Sequence, residues 1–204
     1  MTRKTKPKSS SAPQGPVWGS AQWKALHSPA RFELFTLAEG AAPCSISDLA
    51  RLSGRRASSL YRHIASLEKA KFLVAIERRR AGRRFEAVYA LGPMATARSV
   101  GNSSDGPAQV HLHVGRMVER AFRSASRDVR VALKEGHRPL LGDPATPLSF
   151  AFEVTWLDER RRRAVYELMR RMRELVQEGR AERTGELYRI VASLSPLTRR
   201  SSAS

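Results

Sequence analysis

Residues 45–67 read SISDLARLSGRRASSLYRHIASL, and this stretch decides the fold that the sequence predicts. Ser45 and Ser47 can each cap the start of a short helix. Its apolar positions are Ile46, Leu49, Ala50 and Leu52. Gly54 follows where a left-handed residue commonly ends a helix, and two residues of turn remain before the next helix begins.

A second helix is predicted over about residues 57–69, because its apolar residues recur three and four positions apart. The buried stripe consists of Ala57, Leu60, Ile64 and Leu67. At about 100° per residue, Ser58, Ser59 and Arg62 fall on the opposite side, with Tyr61 and His63 on the flanks. Two short helices joined in this way form a helix-turn-helix, whose second helix enters the major groove of DNA.

The outer face of this second helix is small, polar and basic. Serines leave the helix surface thin enough to approach base edges, and arginines reach phosphates or guanine. We therefore predict DNA contacts from Arg55, Arg56, Ser58, Ser59, Tyr61 and Arg62.

Two apolar runs, 73–76 and 85–91, predict a β-hairpin directly after the second helix. Five arginines crowd the segment between the runs, namely Arg78, Arg79, Arg80, Arg83 and Arg84. Such crowding is repulsive unless phosphates relieve it, so we predict that these side chains contact the DNA backbone. A hairpin in this place is the wing of a winged helix.

Residues 20–92 resemble the ArsR-type winged helix-turn-helix repressors. The matching positions are Leu26, Pro29 and Arg31 at the first core helix, and Ser59, His63 and Ile64 on the second helix of the motif, with Tyr61 in place of the usual serine. The resemblance implies a homodimer that reads DNA through this helix. A two-fold dimer would also place two recognition helices about one turn of DNA apart.

The sequence departs from the metal-sensing members of that family. They resemble one another in a Cys-x-Cys pair where this chain has Ser45 and Ser47, and Cys44 lies alone and out of register. His111 and His113 are two apart and do not form a chelating i, i+4 pair, and His27 and His137 offer no better site. We expect no metal site and no cofactor.

Charge favours a nucleic-acid partner. The 204 residues hold 37 Lys plus Arg against 19 Asp plus Glu, a net charge of +18. Such a charge needs a polyanionic partner, most often nucleic acid and less often a membrane surface. The amino end lacks the apolar run of a signal peptide, and no run of about 18 apolar residues occurs. We expect a cytoplasmic, nucleoid-associated protein. No catalytic motif is present, so we expect no enzyme.

Composition divides the chain into five parts. We predict a disordered basic tail over 1–16, a winged helix-turn-helix domain over 17–100, a linker over 101–106, a helical dimerisation domain over 107–192, and a disordered tail over 193–204. The fold class is thus mainly α with a small β-hairpin wing. The second domain could also hold an effector, but no convergent polar cluster marks a pocket.

Within the second domain, a long amphipathic helix is predicted from Val110 to Leu133. Residues 150–156 alternate like a strand, and the alternative is an extended arm. Asp158 can cap a helix that runs to about Glu178, and a short helix is predicted over 182–192. The run 160–163 places four arginines at a helix start, where the helix dipole disfavours them.

One alternative from another class stays open. The winged helix could be an interaction module that binds protein or structured RNA, with its helices assembling a complex. The sequence names no operator, regulated gene or effector.

Overall fold

The computed structural model describes residues 17–82, 84–96, 103–137, 148–149 and 153–196. The chain order is α1 (Ser20–Leu26), α2 (Pro29–Ala41), β1 (Cys44–Ser45), α3 (Ile46–Ser53), α4 (Ala57–Lys69), β2 (Leu73–Ala81), β3 (Arg84–Leu91), α5 (Pro93–Thr96), α6 (Pro107–Lys134) and α7 (Glu159–Glu182). The protein is mainly helical with one small antiparallel sheet.

Pro29 marks the division between the first two helices. α1 ends at Leu26, and α2 starts at Pro29 itself, a position where the missing N–H of proline costs nothing. Ser28 caps α2, because its side chain accepts a hydrogen bond from the backbone N–H of Arg31 at 3.5 Å. Two helices therefore occupy the stretch that leads into the helix-turn-helix.

The predicted helix-turn-helix is also present. Ser45 caps α3, and Gly54 ends it in the left-handed conformation with φ of 66°. α4 begins at Ala57 and buries the expected stripe of Leu60, Ile64 and Leu67. Local signals in the sequence were sufficient here, because each helix start, stop and buried face depends on neighbouring residues.

The sheet has the strand order β1-β3-β2, with both pairs antiparallel. The hairpin is longer than predicted: β2 continues to Ala81, so Arg78, Arg79 and Arg80 lie in a strand instead of a loop. Arg84 opens β3, and Gly82 in the connection has φ of 61°. A hairpin that follows the helices in this way gives a winged-helix-like topology.

An aromatic cluster fills the centre of this fold. Trp18 lies edge-on to both Trp23 and Phe72, with ring centroids 4.9 and 5.1 Å apart, and Phe35 packs against Phe72 at 4.9 Å. Both indole N–H groups are satisfied, since Trp18 donates to the carbonyl of Met94 and Trp23 donates to the hydroxyl of Ser103. These contacts close the core around α1, α2 and the base of the hairpin.

The first half of α6 packs against this same core. Val114 and Met117 are partly buried on it, and the ring of His113 stacks on Trp23 at 4.8 Å. The chain divides into two compact units between Arg120 and Ala121, inside α6. The first unit therefore includes about half of the helix that composition assigned to the second domain.

The second unit holds the remainder of α6, then α7 and the residues after it. Asp158 caps α7 as predicted, accepting from the N–H of Arg161 at 2.7 Å. The short helix predicted over 182–192 is wrong: Arg183 and Gly185 take positive φ, which ends α7, and no helix follows up to residue 196. Arg189 instead returns to α6, donating to Asp128 at 2.5 Å.

Some predictions fall wholly or partly outside the described residues. The parts that lie outside are residues 1–16, 97–102, 138–147, 150–152 and 197–204, together with Arg83. Residues 153–156 are described and do not form a strand, so that part of the strand prediction is wrong. Among the described helices, none is long and apolar enough to cross a membrane.

A histidine pair joins α6 to the junction of α1 and α2. Nε2 of His27 lies 2.9 Å from Nδ1 of His113, and Nε2 of His113 lies 3.4 Å from the carboxylate of Asp105. Partial burial lowers the pKa of His27, and the positive charges of His113, Arg116, Arg120 and Arg31 lower it further. The pair therefore favours a neutral His27.

We predict that this pair makes folding sensitive to mild acid. Because the pKa of His27 is lower in the folded state, the unfolded chain takes up the proton first as the pH falls below about 6.5. The free energy of unfolding should fall between pH 7 and pH 5, and His27→Gln should flatten that fall. Chemical denaturation across this range measures both chains, and an equally steep fall in His27→Gln would contradict the assignment.

Candidate nucleic-acid interface

The outer face of α4 is open along its length. Ser58, Ser59, Tyr61 and Arg62 are all exposed, and Tyr61 is 62% exposed despite its large ring. The hydroxyl of Ser59 donates to the carbonyl of Arg56 at 2.7 Å, which satisfies a backbone group at the start of the helix. The face thus presents short polar groups, one phenol and one guanidinium to the solvent.

The field around this helix is positive. Partial burial and the nearby charges of Arg62, Arg31 and Arg55 lower the pKa of His63, which lies between the exposed and buried sides of α4. A neutral imidazole in that place adds no positive charge of its own. The arginines therefore supply the potential that attracts an anion to α4.

The two arginines before α4 have different surroundings. Arg55 donates to the buried carboxylate of Glu33 on α2 at 3.0 Å, while its own side chain stays 40% exposed. Arg56 is exposed at the N-cap position of α4 and makes no side-chain cap hydrogen bond there. The structure thus places Arg55 as a brace between α2 and the turn, and leaves Arg56 at the surface.

A β-bulge at Ile76 decides which way the wing arginines face. The register runs Ala75 to Tyr89 and then Glu77 to Val88, so Ile76 has no partner in the ladder. In an unbroken ladder Arg78 would oppose Glu86. With the bulge, Arg79 takes that place instead.

Arg79 is held by three groups, which lie on β3, α3 and β1. Its guanidinium donates to Glu86 at 3.0 Å, to Asp48 at 2.7 Å and to the hydroxyl of Ser45 at 3.1 Å. Asp48 also accepts from the backbone N–H and the hydroxyl of Ser45, both at 3.0 Å, which closes a capping box at the start of α3. Arg79 therefore anchors the wing to α3.

The carboxylates of this cluster remain ionised well into acid. Partial burial acts to raise the pKa of Asp48, but hydrogen bonds from Ser45 and Arg79 outweigh it and lower the pKa. For Glu86, a hydrogen bond from Ser47 and the contact with Arg79 lower the pKa against the opposing effect of burial. The guanidinium is thus neutralised on its own face of the sheet.

Arg78 and Arg80 lie on the other face. They oppose Ala87 and Phe85, which alternate along β3 with Tyr89 and therefore share its side of the sheet. Burial raises the pKa of Tyr89, and the charges of Glu68 and Tyr61 on α4 add to this rise. The side of the hairpin that carries Arg78 and Arg80 is thus continuous with the side whose base meets α4.

The candidate interface contains anchoring contacts that the sequence did not indicate. Sequence patterns identified the arginines but treated the five in the wing as equivalent, and they missed Asp48 and Glu86 as anchors. The capping-box spacing of Ser45 and Asp48 was the only available signal for that cluster. In the part of the chain that the structure describes, no group of three His, Cys, Asp or Glu side chains could hold a metal ion.

Asp48→Ala should loosen the anchor. It removes the acceptor for the start of α3 and one partner of Arg79, so we expect the free energy of unfolding to fall by about 1 to 2 kcal/mol. The matched control is Arg51→Ala, since Arg51 contacts the same carboxylate from an exposed position and should change stability by less than about 0.5 kcal/mol. Equal losses in urea denaturation would contradict a specific anchor.

The chain matches no family model and no curated protein.

Proposed function

We propose that the protein is a sequence-specific, double-stranded-DNA-binding transcriptional regulator that acts as a homodimeric repressor. α4 lies in the major groove, where Ser58, Ser59, Tyr61 and Arg62 contact base edges. The wing contacts the flanking backbone. The protein represses by occupying a promoter. Its target is then the DNA of the nucleoid, in the cytoplasm.

The observation that carries this proposal is the pairing of two surfaces in one winged-helix-like unit. α4 buries Leu60, Ile64 and Leu67 and leaves an exposed face of serines, a tyrosine and an arginine. Beside it, the bulge turns Arg78 and Arg80 toward the side that meets α4. A thin polar helix face suits a groove, and exposed guanidinium groups suit phosphates.

The anchoring contacts refine the roles of the basic residues. Arg55 and Arg79 act on DNA by positioning, since Glu33 and Asp48 already engage them. Arg56, Arg62, Arg78, Arg80 and Arg84 are exposed and supply the direct contacts of this proposal, and Arg83 lies outside the described residues. This division separates residues that hold the wing from residues that meet the ligand.

The first experiment is fluorescence anisotropy with genomic duplexes, including the region upstream of the protein's own gene, at two salt concentrations. Scrambled duplex and structured RNA serve as competitors. A preference for one duplex that survives the higher salt supports the regulator. Equal, steeply salt-dependent binding to every polyanion contradicts sequence-specific recognition, and a preference for structured RNA favours an interaction module.

Two variants distinguish contacts with base edges from contacts with the DNA backbone. Arg62→Ala should weaken binding to the preferred duplex by about 1 to 3 kcal/mol and change scrambled DNA less. Arg80→Ala should weaken all duplexes alike and reduce the salt slope by about one. The control is Arg79→Ala, whose main effect should be lower thermal stability with the salt slope retained. Identical behaviour of Arg62→Ala and Arg80→Ala on both duplexes would show that this division of roles is wrong.

A further inference from the structure

α7 carries an apolar stripe that the rest of the chain half-covers, and beside it a mixed stripe of leucines and charged residues that stays exposed. The first is half-buried and consists of Val165, Met169, Met172 and Val176. The second contains Leu168 and Leu175, which stay 71% and 53% exposed. The rest of the chain thus uses one stripe and leaves the other to solvent.

The exposed stripe follows the spacing of a helix-pairing seam. Its members recur alternately three and four residues apart over three heptads, all of them exposed. They are Arg161, Ala164, Leu168, Arg171, Leu175, Glu178 and Glu182, and we call this set the α7 ridge. A seam with this period suits a second helix packed lengthwise.

Charge at the N-terminal end of α7 runs against the dipole of the helix. Arginines fill 160–163 there, where the macrodipole disfavours them, and Glu178 and Glu182 lie near the C-terminal end together with Arg180. Asp158 and Glu159 offset some of the arginines. Among the residues that the structure describes, neither Glu178 nor Glu182 has an ion-pair partner. This polarity suits a neighbour that runs in the opposite direction.

We propose that α7 pairs antiparallel with α7 of a second copy of this chain, across the α7 ridge. A two-fold axis near Arg171 brings Leu168 opposite Leu175 of the second copy and Arg161 opposite its Glu182. A parallel pair would bring arginines against arginines and glutamates against glutamates. The two Arg171 side chains meet at the axis, where each has Glu174 of its own chain at 3.5 Å.

The inference rests on the homodimer of the proposed function and specifies the surface that forms it. It does not depend on DNA, so oligomeric state and DNA binding are measured separately. The run 160–163, which the recognition helix and wing do not use, thereby receives a role in assembly.

Charge reversal in the full chain tests the pairing by sedimentation equilibrium. Glu178→Arg with Glu182→Arg, and separately Arg160→Glu with Arg161→Glu, should each weaken self-association about tenfold or more. Combining all four substitutions restores opposite charges at the two ends and should recover the dimer. Each reversal suits the helix dipole, so a lost dimer cannot be attributed to a weakened α7, and circular dichroism verifies this.

A second pair of variants tests the apolar part. Leu168→Glu introduces a carboxylate opposite Leu175 of the second copy and should give monomers. Tyr166→Glu is the matched control, because Tyr166 is 62% exposed on the opposite side of α7 and should leave the dimer intact. Equal effects of the two substitutions would overturn the α7 ridge as the interface.

Cysteine cross-linking tests the direction. A mixture of Arg161→Cys and Glu182→Cys chains should form a disulfide-linked dimer, whereas Arg161→Cys alone should not, and buried Cys44 does not compete. Three results would each overturn the proposal. They are cross-linking of Arg161→Cys to itself, a dimer that no charge reversal weakens, and a natural chain that is monomeric. If duplex preference persists in any of these cases, the DNA-binding function stands without this interface.

Discussion

The carboxylate of Asp48 is the point on which the winged-helix-like unit depends. It accepts from the backbone and hydroxyl of Ser45, which starts α3 beside β1, and from Arg79, which belongs to the hairpin. One side chain therefore sets the start of a helix and the position of a wing that is 31 residues further along the chain. A charged acceptor with several donors is stronger than a neutral one, and partial burial limits competition from water.

Much of this unit follows from short-range sequence signals. The caps of α3, the left-handed Gly54 and the stripe of α4 each involve neighbouring residues, and the structure confirms them. The wing was predicted as a hairpin, but its arginines were assigned to a loop because consecutive charged residues hide strand alternation. The bulge at Ile76 could not be predicted, since it depends on pairing with β3. Identical arginines then acquire different roles through register alone.

Long-range contacts and chain reversals account for the remaining differences. His27 and His113 are separated by 86 residues, and only the packing of α6 on the first core brings their rings together. The spacing of His111 and His113 therefore said nothing about the contact that His113 makes. After α7, positive φ at Arg183 and Gly185 redirects the chain, and Arg189 forms an ion pair with Asp128 where a short helix was predicted.

The alternation of Arg78, Arg79 and Arg80 has a consequence for how such a protein can change. The middle residue belongs to the stability of the fold, while its two neighbours oppose the small or exposed side chains of Ala87 and Phe85. Substitution of either neighbour removes a surface charge and leaves the anchor in place. Substitutions at these two positions can therefore raise or lower the positive charge of the surface during evolution, while the fold that carries it stays the same.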